Sequence, residues 1–253
     1  MKVFLTGASS GIGEALARHY AGAGAVLGLF ARRGEALRSL QRSLPGASEV
    51  YPGDVRDADA LRAAAEDFIA RHGVPDVVIG NAGVSYGTLT EIAKDAAVFR
   101  ETLEINVLGL VHTFHPFVEP MRRQRSGSLV GIASVAGFRG LPGASAYSAS
   151  KAAAIRYLES LRVELHGSGV RVTTICPGFI ATPMTERNPY PMPFIIGADD
   201  AARRFARVIA AGRSYAVVPW QMAIVGRLLP LVPNALFDAV AARRKRKPRK
   251  ESA

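Results

Sequence analysis

Seven short runs of apolar or β-branched residues recur along the 253-residue chain, at residues 3–5, 25–30, 49–51, 76–79, 128–132, 171–176 and 215–218. Between them lie stretches with helical spacing, at 12–23, 35–44, 58–71, 96–123, 146–165 and 198–210. Strands separated by helices cannot be joined as tight hairpins, so the connections are crossovers and the strands run parallel. The fold expected is therefore α/β: one doubly wound domain whose mostly parallel, seven-stranded sheet carries helices on both faces. No internal repeat and no Pro/Gly/Ser-rich linker divides the chain, and its length suits one such domain. In sheets of this kind ligands bind beyond the carboxyl ends of the strands.

Apolar residues make up 49% of the chain and charged residues 21%, which is ordinary globular usage. The net charge of +11 suggests nucleic acid until it is located. Residues 243–250, RRKRKPRK, carry seven positive charges and leave +4 for everything else. Residues 243–253 read as a basic, solvated and disordered tail, with contact to an anionic membrane surface as the alternative. No nucleic-acid partner is expected, because no aromatic residue interleaves the tail's charges and the body offers no reading helix. Cys176 stands alone, which excludes an internal disulfide, and only Met1 and Lys2 precede the first strand. Together these point to a cytoplasmic protein.

The stretch TGASSGIG, Thr6 to Gly13, falls where the first strand hands over to a helix. Gly7, Gly11 and Gly13 can turn tightly, admit a phosphate close to the backbone and let the helix pack on its strand. The helix N-terminus adds N–H groups and a partial positive charge, so the stretch reads as a pyrophosphate cradle. Its spacing, G-x-x-x-G-x-G, differs from the commoner G-x-G-x-x-G.

Farther along, in SAYSASKAAA, Tyr147 and Lys151 are four apart at the start of a helix and share a face. An ammonium near a phenol favours the phenolate, so the spacing predicts a lowered Tyr147 pKa suited to general acid–base work. Ser134 ends the run GSLVGIAS and places a hydroxyl at the carboxyl edge of the sheet, the edge that also bears the glycine turn.

The chain resembles the short-chain dehydrogenase/reductase family over nearly its whole length. The resemblance rests on TGASSGIG, NAGV from Asn81, INVLG around Asn106, IASVAG with Ser134, YSASK, and PGFIATPM from Pro177. It implies a Rossmann-like fold and a nicotinamide-dependent oxidoreductase acting on a carbonyl or alcohol. By position, Tyr147 would exchange a proton with the substrate oxygen, Ser134 would hold that oxygen, and Lys151 would bind the nicotinamide ribose. Asn106 would support a proton relay to Lys151. The cofactor would be lined by Gly7, Ser9, Ser10, Gly11, Ile12 and Gly13, by Asp54 and Val55 at the adenine, and by Asn81, Ala82 and Gly83. Pro177, Gly178, Ile180 and Thr182 would border the nicotinamide. The resemblance also implies a homodimer or homotetramer paired through the helices at 96–123 and 146–165. With the four catalytic residues present, an active enzyme is expected over a dinucleotide-binding regulator or scaffold without turnover.

At the end of the second strand an acidic residue would favour NAD by bonding the ribose 2′-OH. Here Ala31, Arg32 and Arg33 stand instead, and a guanidinium suits the 2′-phosphate of NADP(H). Ser10 occupies a position where many NADP-preferring relatives carry a basic residue, yet it still offers a hydroxyl. No metal is expected: His112, His115 and Glu119 lack a preorganised ligand set. Cys176 reads as a small core residue. The segment after Thr182, PMTERNPYPMPFIIG, supplies apolar, proline-stiffened walls suited to a moderately hydrophobic substrate. Residues 215–242 contain only Arg227 and Asp238 as charged side chains, but Pro219, Pro230 and Pro233 interrupt any span. From about residue 220 this reads as an apolar extension of a 1–242 domain, packing on the domain, on a sister subunit or at a membrane surface.

Overall fold

The computed structural model describes residues 1–243 and 245–250, so Arg244 and residues 251–253 of the basic tail lie outside the described residues. The strands, in chain order, are β1 (Lys2–Thr6), β2 (Val26–Ala31), β3 (Ser48–Pro52), β4 (Val77–Gly80), β5 (Gly127–Ile132), β6 (Val170–Pro177), β7 (Ile180–Ala181), β8 (Ile196–Gly197) and β9 (Tyr215–Val218). The helices are α1 (Gly11–Gly22), α2 (Gly34–Ser43), α3 (Ala58–His72), α4 (Asp95–Leu103), α5 (Gly109–Arg123), α6 (Ser145–Glu164), α7 (Pro183–Glu186), α8 (Ala198–Ala210), α9 (Trp220–Leu228) and α10 (Asn234–Ala241). Each of the seven apolar runs became a strand of one sheet, ordered β3-β2-β1-β4-β5-β6-β9. Every neighbouring pair in it is parallel.

Strand alternation sorts the core into two layers. Val3 and Leu5 face the same side as Leu27, Leu29, Val77 and Ile79, where they meet Leu16 of α1, Leu37 of α2 and Phe205 of α8. Phe4, Val78 and Leu129 face the other side, against Phe68 of α3, Phe114 and Phe117 of α5, and Leu158 of α6. Strands buried on both faces explain why the sequence shows continuous apolar runs rather than polar–apolar alternation. The reversal of strand order between β1 and β4 opens a crevice at the carboxyl edge, and the glycine turn after β1 lies there.

Three features differ from expectation. The helix expected over 96–123 is interrupted by a π-helical turn at Glu104–Leu108, between α4 and α5. A two-stranded ribbon brackets the proline-rich segment, pairing β7 ahead of it with β8 at its end through Ile180↔Ile196 and Ala181↔Gly197. The tail was expected to be solvated and disordered; among its described residues only Lys247 is half-buried and the rest are exposed, yet residues 247–250 touch the body: Gly87 N–H donates to the Pro248 carbonyl at 2.8 Å, and Arg249 pairs with Asp95 at 2.7 Å. The buried Asp95 carboxylate is the reason, since it holds the Arg249 guanidinium at the surface of the body.

The apolar extension folds as α9, a 3-10 turn at Leu229–Leu231 and α10. Arg139 pins it, donating to the Leu229 and Val232 carbonyls at 2.6 Å each and stacking 4.0 Å from the centre of the Phe237 ring. Among the described residues no helix is long and apolar enough to cross a membrane.

Candidate active site

A single cleft at the carboxyl edge of the sheet brings together nearly every residue singled out above. Gly7, Ser9, Ser10, Gly11 and Ile12 line it beside Arg32, Arg33, Asp54, Val55, Asn81, Ala82 and Gly83. Ser134, Tyr147, Lys151, Pro177, Gly178, Ile180 and Thr182 complete its far end. Gly13 and Asn106 stand behind the wall and support it. Ala31, which stands where an acidic residue would favour NAD, lines the cleft too, and so do Gly53, Val84, Ile105, Ile132, Ala133, Met184 and Thr185, to which the sequence assigned no role. Ala31, Gly53, Ile132 and Ala133 lie at strand ends, Val84 on the loop after β4, Ile105 on a π-helical turn, and Met184 and Thr185 on α7; apart from Thr185 their side-chain chemistry carries no signal.

The glycine turn is built by close approach. A Cβ on Gly13 would stand 2.1 Å from the Gly7 carbonyl oxygen, and Gly7 itself has a φ of +68°. The Asn81 side-chain amide donates to the Thr6 and Gly7 carbonyls at 3.2 and 3.3 Å, tying the end of β4 to the turn. Ser10 precedes α1 in an extended conformation and its hydroxyl caps none of the helix's amides. It accepts instead from the Arg33 guanidinium at 2.7 Å, which also reaches the Ser9 hydroxyl at 3.0 Å. The first-turn N–H groups of α1 are thus left for an anion, and a cation stands beside them, so the residues present fit a phosphorylated dinucleotide.

Arg32 and Asp54 behave differently from Arg33. The Arg32 guanidinium lies 3.9 Å from the Asp54 carboxylate, which is held more closely by Arg56 at 2.7 Å. The Arg56 hydrogen bond holds the Asp54 carboxyl below its ordinary range, against the opposing effect of partial burial. Arg56 was not singled out in the sequence; its place two residues after Asp54 was the available signal.

At the chemical end, Ser134 leaves β5 with extended backbone, is 7% exposed and accepts from Ala136 N–H at 3.1 Å. Tyr147 and Lys151 lie on the first turns of α6, as their spacing required. The pKa expectation for Tyr147 is corrected. Burial raises it above the ordinary phenol value, and a hydrogen bond with Ser134 opposes that rise. The Lys151 ammonium lies 5.8 Å from the centre of the Tyr147 ring and donates to the Ile132 carbonyl at 2.8 Å. Burial pushes its own pKa down to about 8. Desolvation therefore sets the direction of both shifts.

Asn106 sits on the π-helical turn and is 2% exposed. Its oxygen accepts from Val84 N–H at 2.8 Å, and its amide donates to the Val84 carbonyl at 3.0 Å and the Ser150 hydroxyl at 2.9 Å. It thus clamps the NAGV loop to α6. A Cβ on Gly83 would come within 3.2 Å of the Asn106 oxygen and 3.6 Å of the Lys151 nitrogen, so both groups converge on that loop.

Elsewhere, the His112 Nδ1 lies 3.0 Å from the Val55 carbonyl oxygen. Cys176 is fully buried, contacts the Tyr215 hydroxyl at 3.4 Å and has its thiol pushed up to about 11 by burial.

The short chain dehydrogenase family profile matches residues 1–191. An uncharacterized oxidoreductase of Myxococcus xanthus is 40% identical over 242 residues, covering 94% of this chain and 95% of the relative. A short-chain dehydrogenase/reductase of Burkholderia phymatum, solved in complex with NAD, superposes with a TM-score of 0.82 at 25% identity, covering 98% and 96% of the two chains. A serine dehydrogenase solved in a closed form with NADP+ superposes with a TM-score of 0.79 at 25% identity, covering 85% and 92%. The chain therefore belongs to the short-chain dehydrogenase family, and with it to the oxidoreductases of carbonyl and alcohol groups.

Proposed function

We propose that this protein is an active, NADP(H)-dependent reductase of moderately hydrophobic ketones or aldehydes. The observation that carries the cofactor preference is the Arg33 guanidinium bonded to both Ser9 and Ser10 at the glycine turn. A 2′-phosphate at that position would meet a planar cation and two hydroxyls, and nothing acidic in the turn would repel it. Solved structures similar to this chain were obtained with NAD in one case and NADP+ in another, so the preference rests on these side chains.

When bound, the nicotinamide supplies or accepts the hydride. The chain supplies the proton and the alignment. Tyr147, whose pKa burial raises, remains a neutral phenol near pH 7, the form able to donate as a carbonyl oxygen gains charge. Ser134 offers that oxygen a hydrogen bond, and Lys151, with its pKa near 8, can restore the proton close to neutrality. Asn106 fixes the loop that faces them. Tyr190 and Met184 stand on the substrate side, where Tyr190 lies within electrostatic reach of Tyr147 and Met184 lines the cleft.

A screen of carbonyls and alcohols of graded size with NADPH and with NADH, followed at the nicotinamide absorbance, tests this reading. Turnover with NADPH well above NADH is expected. Dinucleotide binding without turnover of any compound would favour a regulatory or scaffold protein.

Two partner readings accompany it. Leu108 and Val163 are exposed beside α5 and on α6, where a homodimer or homotetramer would pair. Trp220, Ile224, Leu228, Leu231, Leu236 and Val240 leave an apolar side of the extension exposed, and this supports a peripheral membrane contact from the cytoplasm. Lys247, Arg249 and Lys250 are engaged with the body, so apolar area rather than tail charge would carry that contact.

A further inference from the structure

Residues 247–250 run beside Tyr147 and the loop that follows Val84. Arg249 makes a two-pronged ion pair with Asp95, at 2.7 and 2.9 Å, and Asp95 is only 4% exposed and also accepts from Leu89 N–H at 2.8 Å. Without this strap Asp95 would be a buried carboxylate lacking its cation, a costly arrangement. Lys250 adds a second pair with Glu101 at 2.5 Å. The body is shaped for this path: a Cβ on Gly87 would stand 2.2 Å from the Lys247 carbonyl oxygen. The Gly87 contacts with Lys247 and Pro248 and the Asp95 pair at Arg249 hold the backbone on which Lys247 stands.

The Lys247 ammonium lies 5.6 Å from the centre of the Tyr147 ring and donates to the Ser85 hydroxyl at 2.7 Å. Ser85 directly follows Val84, which lines the cleft. Ser85 takes one of three N–H groups, and among the described residues no carboxylate lies within ion-pair distance of the others. Arg249 and Lys250 on the same strap each have an acidic partner, whereas the lysine aimed at the catalytic tyrosine has a hydroxyl alone. The charge is also desolvated, enough to push its pKa down to about 8. Among the described residues no anion completes this partly buried cation, which leaves it able to take one from a ligand.

We propose that the C-terminal strap forms one wall of the substrate site and that Lys247 selects carbonyl substrates bearing a carboxylate close to the reacting carbon. Tyr147 meets the carbonyl oxygen, and Lys247 stands over the same ring. The two groups that they recognise therefore belong to one small molecule, as in a 2-oxo or 3-oxo acid with an apolar remainder. This inference rests on the reductase reading and narrows its substrate class.

The test compares the wild-type full chain with Lys247→Met, Lys247→Arg and Lys245→Met. Each is assayed with NADPH on 2-oxohexanoate and 3-oxohexanoate and on their methyl esters. The acid-to-ester ratio of kcat/KM is expected to exceed one in the wild type and to fall about tenfold to a hundredfold in Lys247→Met, the loss of one charge-assisted bond, carried by KM. Lys247→Arg should recover part of it, and Lys245→Met should leave the ratio in place. An unchanged ratio in Lys247→Met, or a wild type that prefers the esters, overturns the proposal. Calorimetry of 2-oxohexanoate with the NADPH-loaded protein separates the two readings. Binding that Lys247→Met abolishes, without turnover by the wild type, would sink the reductase and keep the anion site. Turnover of esters without binding of the acids would do the reverse.

Discussion

Arg33 reaches back across the cleft to the glycine turn, while Arg32 leans toward Asp54, so two adjacent arginines hold different positions. Arg33→Ala is expected to weaken NADPH binding by about tenfold to a hundredfold, the worth of one or two charge-assisted bonds, and to alter NADH by much less. Titration with both cofactors reads this directly, and equal losses would remove the 2′-phosphate from the account. Lys151 carries a second prediction. Its pKa in the fold is about 8 against an ordinary 10.5, so the folded protein bears a cost for the buried charge that is complete below pH 8 and gone above 10.5. Lys151→Met should therefore raise the urea midpoint at pH 7, and the gain should shrink as pH approaches 10.5; a loss of stability at pH 7 would contradict it. At this scale the sequence was readable wherever a residue's chemistry and its spacing coincide, as in Tyr147 with Lys151. The direction of the Tyr147 shift was not readable, because desolvation depends on what covers a group. Lys247 was invisible for a related reason: nothing in a run of basic residues marks the one that folds back onto a tyrosine a hundred positions earlier.

The glycine turn and the π-helical turn are the two elements that set the site's geometry. Gly13→Ala forces a methyl against the Gly7 carbonyl, and overpacking of that kind costs about 1–3 kcal/mol. Chemical unfolding should show the loss, together with weaker binding of either dinucleotide; a variant as stable as wild type would mean that the turn can open. The glycines were legible because their positions follow a strand and open a helix. The π-helical turn was not, since residues 104–108 have ordinary helical composition and the extra residue is held by tertiary bonds from Asn106 to Val84 and Ser150. Such insertions in a helix are frequent at functional sites, and here the inserted turn aims Asn106 at the loop beside Lys151. The ribbon of β7 and β8 escaped notice for a plainer reason: each strand has two residues, too short for any period to show.

For the molecule as a whole, the alternation of apolar runs and helices was sufficient for sheet, layers and cleft, because parallel strands buried on both faces leave few other ways to connect. The C-terminal region was less legible, since an apolar stretch beside a basic run is compatible with several surfaces. In the structure it divides into an extension pinned by Arg139 and a strap pinned by Asp95, with an apolar side still exposed. Co-sedimentation with neutral and anionic vesicles is expected to bring the full chain down, and Leu228→Glu with Leu231→Glu to keep it in solution. A full chain that stays in solution with both vesicles, and whose oligomer the double variant disrupts, would assign that side to subunit contact.

The proposed delivery of a proton by Tyr147 in dinucleotide-dependent carbonyl reduction is tested most directly by single-site replacement. With a substrate found active in the carbonyl screen, Tyr147→Phe should bind NADPH as the wild type does and lose about a hundredfold to ten-thousandfold in kcat, because the change removes the transferable proton and little else. A Tyr147→Phe protein with near-normal kcat would contradict the account.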